Sequence, residues 1–267
     1  MQKMCENHLS ANSSTTSHVT RIDLKHCYGL TDNGIQWLVG SCHSTKITRL
    51  DLSSTGLTGN CFLRKLPHLS FLALECCPSL NGQGLQNVAK TCPHLIHFSV
   101  SLNKQLDDND LEMAFKSGLA QLKIFQACYT NINGSCFKHF QSLELKKLVM
   151  HSCPKLKDEG LKMYLNRCKC LLFLDVSVSA IDGSCFGAIG SHLPSLKYLY
   201  LDYCQHLKPF VHFAHLPNLK YLSLFKASQI NLANNNGKLN VFRQLENGDC
   251  ERAFCTRRGL KFNKGFF

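Results

Sequence analysis

One frame, L-x-x-L-x-L-x-x-(C/N/T/S), recurs along the chain and constrains its fold more than any other feature. Its clearest copies are Leu69-Leu72-Leu74-Cys77, Leu145-Leu148-Met150-Cys153 and Leu196-Leu199-Leu201-Cys204. Looser copies begin at Val19, Ile47, Leu95, Leu122, Leu171 and Leu219, so nine frames follow one another at a mean step of 25 residues. A unit this short cannot bury its apolar face alone, and neighbours must stack to make a continuous core. Within each frame the x-L-x-L alternation has the period of a strand and turns the leucines to one side. A second apolar pair then returns at helical spacing: Leu85 and Val88, Leu111 and Ala114, Leu161 and Leu165. Asp107, Asp108 and Asp158 precede those segments, where a carboxylate can cap a helix and complement its dipole. The pattern predicts an α/β solenoid, a horseshoe of about nine coils with parallel strands on its concave side and helices on its convex side.

The cysteines fall into the same phase. Of sixteen, Cys27, Cys77, Cys153 and Cys204 occupy the ninth frame position, while Cys42, Cys92 and Cys168 stand just before the next strand. Cys61, Cys136 and Cys185 share a second motif, Gly-x-Cys-Phe, at 59–62, 134–137 and 183–186. A buried thiol acts as a small hydrophobe with a weak donor, so packing explains these ten better than metal or redox chemistry. Cys168-x-Cys170, Cys250-x4-Cys255 and the dispersed His206, His212 and His215 lack the paired spacing of a metal site, and no metal is expected. Nucleophile-elbow, zinc-protease and phosphate-loop motifs are absent, so neither a catalytic residue nor a cofactor is expected.

Composition narrows the class. The chain has 267 residues, 44% of them hydrophobic and 18% charged, which excludes general disorder. No apolar run approaches the roughly 20 residues of a membrane span, and the polar start has no signal-like apolar stretch. Together with reduced thiols, this points to a soluble protein of the cytoplasm or nucleus. The net charge of +12 raises the question of nucleic acid. Its densest basic group, from Lys146 to Lys169, is broken by Asp158 and Glu159, so a solvated surface is the better account. Three segments are expected: a polar, disordered 1–17, a repeat domain over 18–230, and a basic tail or C-terminal cap over 231–267.

Cys77-Pro78-Ser79-Leu80 through Gly84-Leu85, then Cys92-Pro93-His94-Leu95, resembles the cysteine-containing leucine-rich repeat. Cys153-Pro154-Lys155-Leu156 through Gly160-Leu161 and Cys27 through Asp32 do so as well. That subtype is characteristic of F-box/leucine-rich-repeat proteins, the substrate receptors of SCF-type ubiquitin ligases. The resemblance implies a non-enzymatic protein-binding module in ubiquitin-dependent degradation, with the SCF adaptor and cullin as further partners. It covers the repeats and not the F-box, since no Leu-Pro-led helical motif precedes Val19. An F-box-free scaffold or regulator with no ligase connection is the alternative, and the chain resembles the antagonist-of-mitotic-exit-network family in size and repeat type.

Strand alternation also nominates a partner-binding face. The concave residues are charged near the N-terminus (Arg21, Asp23, Lys25, Arg49, Asp51) and aromatic near the C-terminus. Phe173, Asp175, Tyr198, Tyr200, Asp202, Tyr221 and Phe225 are expected to form one patch, because aromatic side chains bury much area at low entropic cost. The competing expectation is that the tail after Asn231 folds over those rings and makes them core.

Overall fold

The computed structural model describes residues 19–40, 46–189, 192–208, 216–227, 240–244, 250–256 and 259–264. Nine three-residue strands form a parallel ladder: β1 (Arg21–Asp23), β2 (Arg49–Asp51), β3 (Phe71–Ala73), β4 (His97–Ser99), β5 (Ile124–Gln126), β6 (Lys147–Val149), β7 (Phe173–Asp175), β8 (Tyr198–Tyr200) and β9 (Tyr221–Ser223). The register aligns the frame residues without slippage: Ile22, Leu50, Leu72, Phe98, Phe125, Leu148, Leu174, Leu199 and Leu222 stand side by side. From Leu50 onward these centres are fully buried, and the first and third apolar residues of the same frames join them in one continuous core. The backbone carries on past the repeats. β10 (Asn240–Gln244) pairs parallel with β9, and β11 (Cys250–Thr256) and β12 (Gly259–Lys264) follow as an antiparallel pair.

The convex side depends on coil length. Longer coils carry α1 (Asp32–Gly40), α2 (Gly82–Thr91), α3 (Asp108–Ser117) and α4 (Asp158–Leu165). The shorter coils with the Gly-x-Cys-Phe motif carry less. The first has only a turn, the second a 3-10 turn (Ser135–His139), and the third the six-residue α5 (Ser184–Ile189). The helical pairs named by spacing are all buried, and Phe98, Phe115, Phe125, Phe137, Phe140 and Tyr164 pack as a contiguous aromatic spine through the middle coils.

The ninth frame position solves a polar problem at the coil junction. Thr55, Thr130 and Ser179 donate back to the carbonyls of Leu52, Ala127 and Val176, at 2.6, 2.9 and 2.5 Å. The cysteine of the following coil points its thiol at the same carbonyl: Cys77 to Leu52 (3.4 Å), Cys153 to Ala127 (3.1 Å) and Cys204 to Val176 (3.4 Å). A carbonyl has two lone pairs, and both are used inside the protein. Burial pushes these thiols above the usual cysteine range, so they stay protonated and able to donate.

The acidic residues do something other than what local spacing suggests. Asp107 is the helix cap: its Oδ1 accepts from the backbone N–H of Asn109 and Asp110, while Asp110 accepts from the backbone of Asp107. Asp108 and Asp158 are not caps. Each is the first residue of its helix and reaches into the following coil, as Asp32 does from α1. Asp108 Oδ1 accepts from the N–H of Gly134 (2.9 Å) and Cys136 (3.0 Å), and its Oδ2 from Asn133 (2.6 Å). Asp158 receives Asp182 and Cys185, and Asp32 receives Thr58, Gly59 and Cys61. In each case a carboxylate clamps the Gly-x-Cys turn of its neighbour. Burial raises the Asp158 carboxyl above its ordinary range, whereas at Asp32 the hydrogen bonds from Thr58 and Cys61 outweigh burial and hold it below.

The turn glycines complete the junction. Gly59 and Gly134 have φ of +89° and +98°, and each lies against a helical glycine of the next coil. A Cβ on Gly84 would meet the Thr58 carbonyl at 2.0 Å, and one on Gly160 would meet that of Asn133 at 2.4 Å. Backbone sits on backbone, so neither neighbour can move aside. Gly160→Ala should cost about 2–3 kcal/mol in a denaturant melt. Gly187→Ala, in open space on α5, should leave stability unchanged or raised. Equal effects would contradict this packing.

The N-terminal end is less well buried. Among the described residues β1 is the edge strand, and Ile22, Leu24 and Leu30 are only partly covered. The amides of Leu24 and His26, bonded to Asp51 and Ser53, should therefore exchange with solvent faster than those of Val176 and Val178, bonded to Tyr200 and Asp202. Hydrogen exchange read residue by residue checks this, and equal protection would refute it.

Candidate functional site

A sheet whose alternate residues are committed to the core leaves the others on the concave face. In three-residue strands those are the first and third. The first-position ladder reads Arg21, Arg49, Phe71, His97, Ile124, Lys147, Phe173, Tyr198, Tyr221. Cations already lie on rings along it. The Arg49 guanidinium is 3.3 Å from the Phe71 centroid and Lys147 Nζ is 4.6 Å from that of Phe173. The middle of the face is tied internally. His97 Nε2 and Gln126 Oε1 are 2.8 Å apart, Ser99 donates to Glu75 at 2.6 Å, and burial holds His97 below the usual imidazole range.

The C-terminal end brings the nominated aromatics together. Phe173, Tyr198 and Tyr221 are in register, as are Asp175, Tyr200 and Ser223. Ring centroids are 5.0 Å apart for Phe173–Tyr200 and for Tyr200–Tyr221, and 6.2 and 6.4 Å for Tyr198 with Phe173 and Tyr221. Tyr198 is 41% exposed, while Phe173, Tyr200 and Tyr221 are half-buried against one another. Burial raises the Tyr200 hydroxyl above its ordinary range, and the neighbouring Tyr221 and Asp175 push the same way. Asp202 serves the sheet: it accepts from Ser223 Oγ (2.5 Å) and the Phe225 amide (2.7 Å). Burial raises its carboxyl against those two bonds. Phe225 lies at the rim, its ring 5.7 Å from Tyr203. β10 is hydrogen-bonded along the edge of β9, in the plane of the sheet and not across these rings. Asn231 to Gly237 lie outside the described residues.

Sequence reasoning missed a second feature beside this face. Three residues past each strand's end stands a residue with φ between 48° and 65°: His26, Ser54, Cys76, Leu102, Tyr129, Ser152, Val178, Tyr203 and Lys226. None is glycine, although this left-handed region penalises other residues and β-branched ones most. Leu102 (48% exposed), Tyr129 (42%), Val178 (36%) and Tyr203 (41%) add nothing to the core that would repay the strain. The signal was in the frame: these residues share one phase, but only backbone angles show that a glycine would suit it better.

Among the described residues no group of three His, Cys, Asp or Glu side chains could hold a metal ion, and no helix is long and apolar enough to cross a membrane. His212 and His215, Cys42, and the side chains of Cys250 and Cys255 lie outside the described residues. Cys76 and Cys170 are exposed thiols, and the other described cysteines are buried or half-buried.

No known protein family matches this chain by sequence, and no curated protein does. Solved structures do. An internalin C2 from Listeria monocytogenes is 18% identical, with 77% of this chain and 80% of that chain covered at a TM-score of 0.58. InlP from the same organism is 17% identical, with 79% and 57% covered at a TM-score of 0.54. The fold is a leucine-rich-repeat solenoid. At such identities the likeness extends to the fold and no further. In this solenoid, Val178→Asn should relieve left-handed strain and raise stability by about 1 kcal/mol. For a chain of this size that is a Tm increase of about 2–4 °C in a thermal melt. A fall in Tm would mean that Val178 contributes packing that outweighs its backbone cost.

Proposed function

We propose that this solenoid binds a protein partner on its concave face, acting by recognition and not by catalysis, as the substrate-recognition module of an SCF-type ubiquitin ligase. The observation that carries the binding reading is the aromatic end of the concave face. Four rings and a carboxylate are held on a sheet whose core is already complete without them. Aromatic side chains are enriched at binding hot spots, and an exposed cluster of them is an interaction surface. The ligase reading is supported by the repeat subtype, with cysteines at the ninth frame position in Cys77, Cys153 and Cys204, the first two followed by the turn and helix that the resemblance requires.

The test uses the full chain as bait. The SCF adaptor and cullin subunits should co-purify with it; a pull-down containing neither refutes the ligase reading and leaves a freestanding scaffold. Tyr200→Ala combined with Tyr221→Ala should abolish partner capture by the concave face with little change in the melt. A lowered melt with capture intact would make those rings core and sink the concave reading.

A further inference from the structure

The aromatic patch has a feature that selects among protein partners: it contains a carboxylate, Asp175, with no ion-pair partner among the described residues. At centroid separations of 5.0–6.4 Å the rings of Phe173, Tyr198, Tyr200 and Tyr221 touch one another, so no side chain fits between them. With planes tilted by 34–37°, Tyr200 is stacked between Phe173 and Tyr221, and Tyr198 is the ring of the four that stands exposed. Asp175 stands in register with Tyr200 inside that patch, with Phe173 before it on the same strand. Its Oδ1 accepts the Ser177 amide at 3.0 Å, and among the described residues no Lys, Arg or His lies within ion-pair distance of it.

That arrangement restricts what can dock. A wholly apolar partner would desolvate the Asp175 carboxylate without pairing it, which costs more than ring burial over the same area returns. An acidic partner would meet both the carboxylate and the negative face of the Tyr198 ring. A cation satisfies both. Rings on this ladder already take cations on their faces, at Arg49–Phe71 and Lys147–Phe173. No cation lies over Tyr198 or Tyr200 among the described residues. Guanidinium fits better than ammonium: it is planar, weakly hydrated, stacks on a ring, and directs its N–H donors sideways to a carboxylate.

We infer that the concave patch of Phe173, Tyr198, Tyr200 and Tyr221 receives an arginine side chain of the protein partner, stacked on the exposed Tyr198 ring and hydrogen-bonded to Asp175. This rests on the concave face being the binding face, and it names the chemistry that face selects.

The probe is a blocked peptide, Val-Arg-Val, titrated into the full chain and followed by NMR of the tyrosine ring resonances. Matched peptides carry citrulline or glutamate in place of arginine. The arginine peptide should shift Tyr198 and Tyr200 saturably, at least fivefold more tightly than either control. Asp175→Asn should abolish that preference without lowering the melt, since the asparagine Oδ1 still accepts the Ser177 amide. Equal binding of the arginine and citrulline peptides, no ring shift with any peptide, or an undiminished preference in Asp175→Asn would each overturn the inference. Partner capture separates the two levels. Capture lost in the double tyrosine variant but kept in Asp175→Asn retains concave docking and overturns the arginine assignment. Capture kept in both variants overturns both.

Discussion

Each coil of this protein satisfies its backbone through the next one. A strand of three residues forms no hydrogen bonds within itself, so its N–H and C=O groups are paired only when a neighbouring coil lies in register beside it. The same dependence extends past the strands. The carbonyls of Leu52, Ala127 and Val176 take one bond from their own coil and a second from the cysteine of the following one. The carboxylates of Asp32, Asp108 and Asp158 bind the turn amides of the coil ahead. Leaving a buried polar group unpaired costs about 1–3 kcal/mol, so a misplaced coil forfeits several such bonds together. Stacking is therefore specific as well as apolar.

That division of labour frees the concave face. With the core built from the strand centres and the junctions held by turns and first helical residues, the first and third strand positions carry little structural duty. They can hold charge at one end and rings at the other. The sheet spaces them at about 4.8 Å from coil to coil, which brings side chains from β7, β8 and β9 into contact although they are far apart in sequence. Rings already packed on one another lose little further freedom when a partner covers them, which is what a recognition surface needs.

Much of this was legible beforehand, because the strand period of two and the coil period near 25 both leave marks in the sequence. The frame located every strand from β1 to β9, the buried centres, and the phase of the cysteines. It also located the aromatic concave cluster, from Phe173 to Tyr221. What it misassigned was polar. Asp108 and Asp158 looked like caps because capping is judged from the next three residues, whereas their partners lie a full coil away. Asp202 looked like a surface acid because alternation assigns a face; only the register with β9 shows Ser223 and Phe225 consuming it. Gly84 and Gly160 looked like ordinary repeat residues, because a contact with the previous coil's carbonyl leaves no periodic mark.

By itself, then, the sequence determined the unit, its stacking and which side chains face inward, since those follow from apolar periodicity and hydrophobic burial is insensitive to direction. The tertiary structure decided which polar groups meet. Whether a carboxylate caps its own helix or clamps the next coil depends on distances of a few tenths of an ångström between superposed turns. Hydrogen bonds are directional and short-ranged, so only the stacked coils determine that Asp108 belongs to Gly134 and Cys136, and that Asp175 has no ion-pair partner among the described residues.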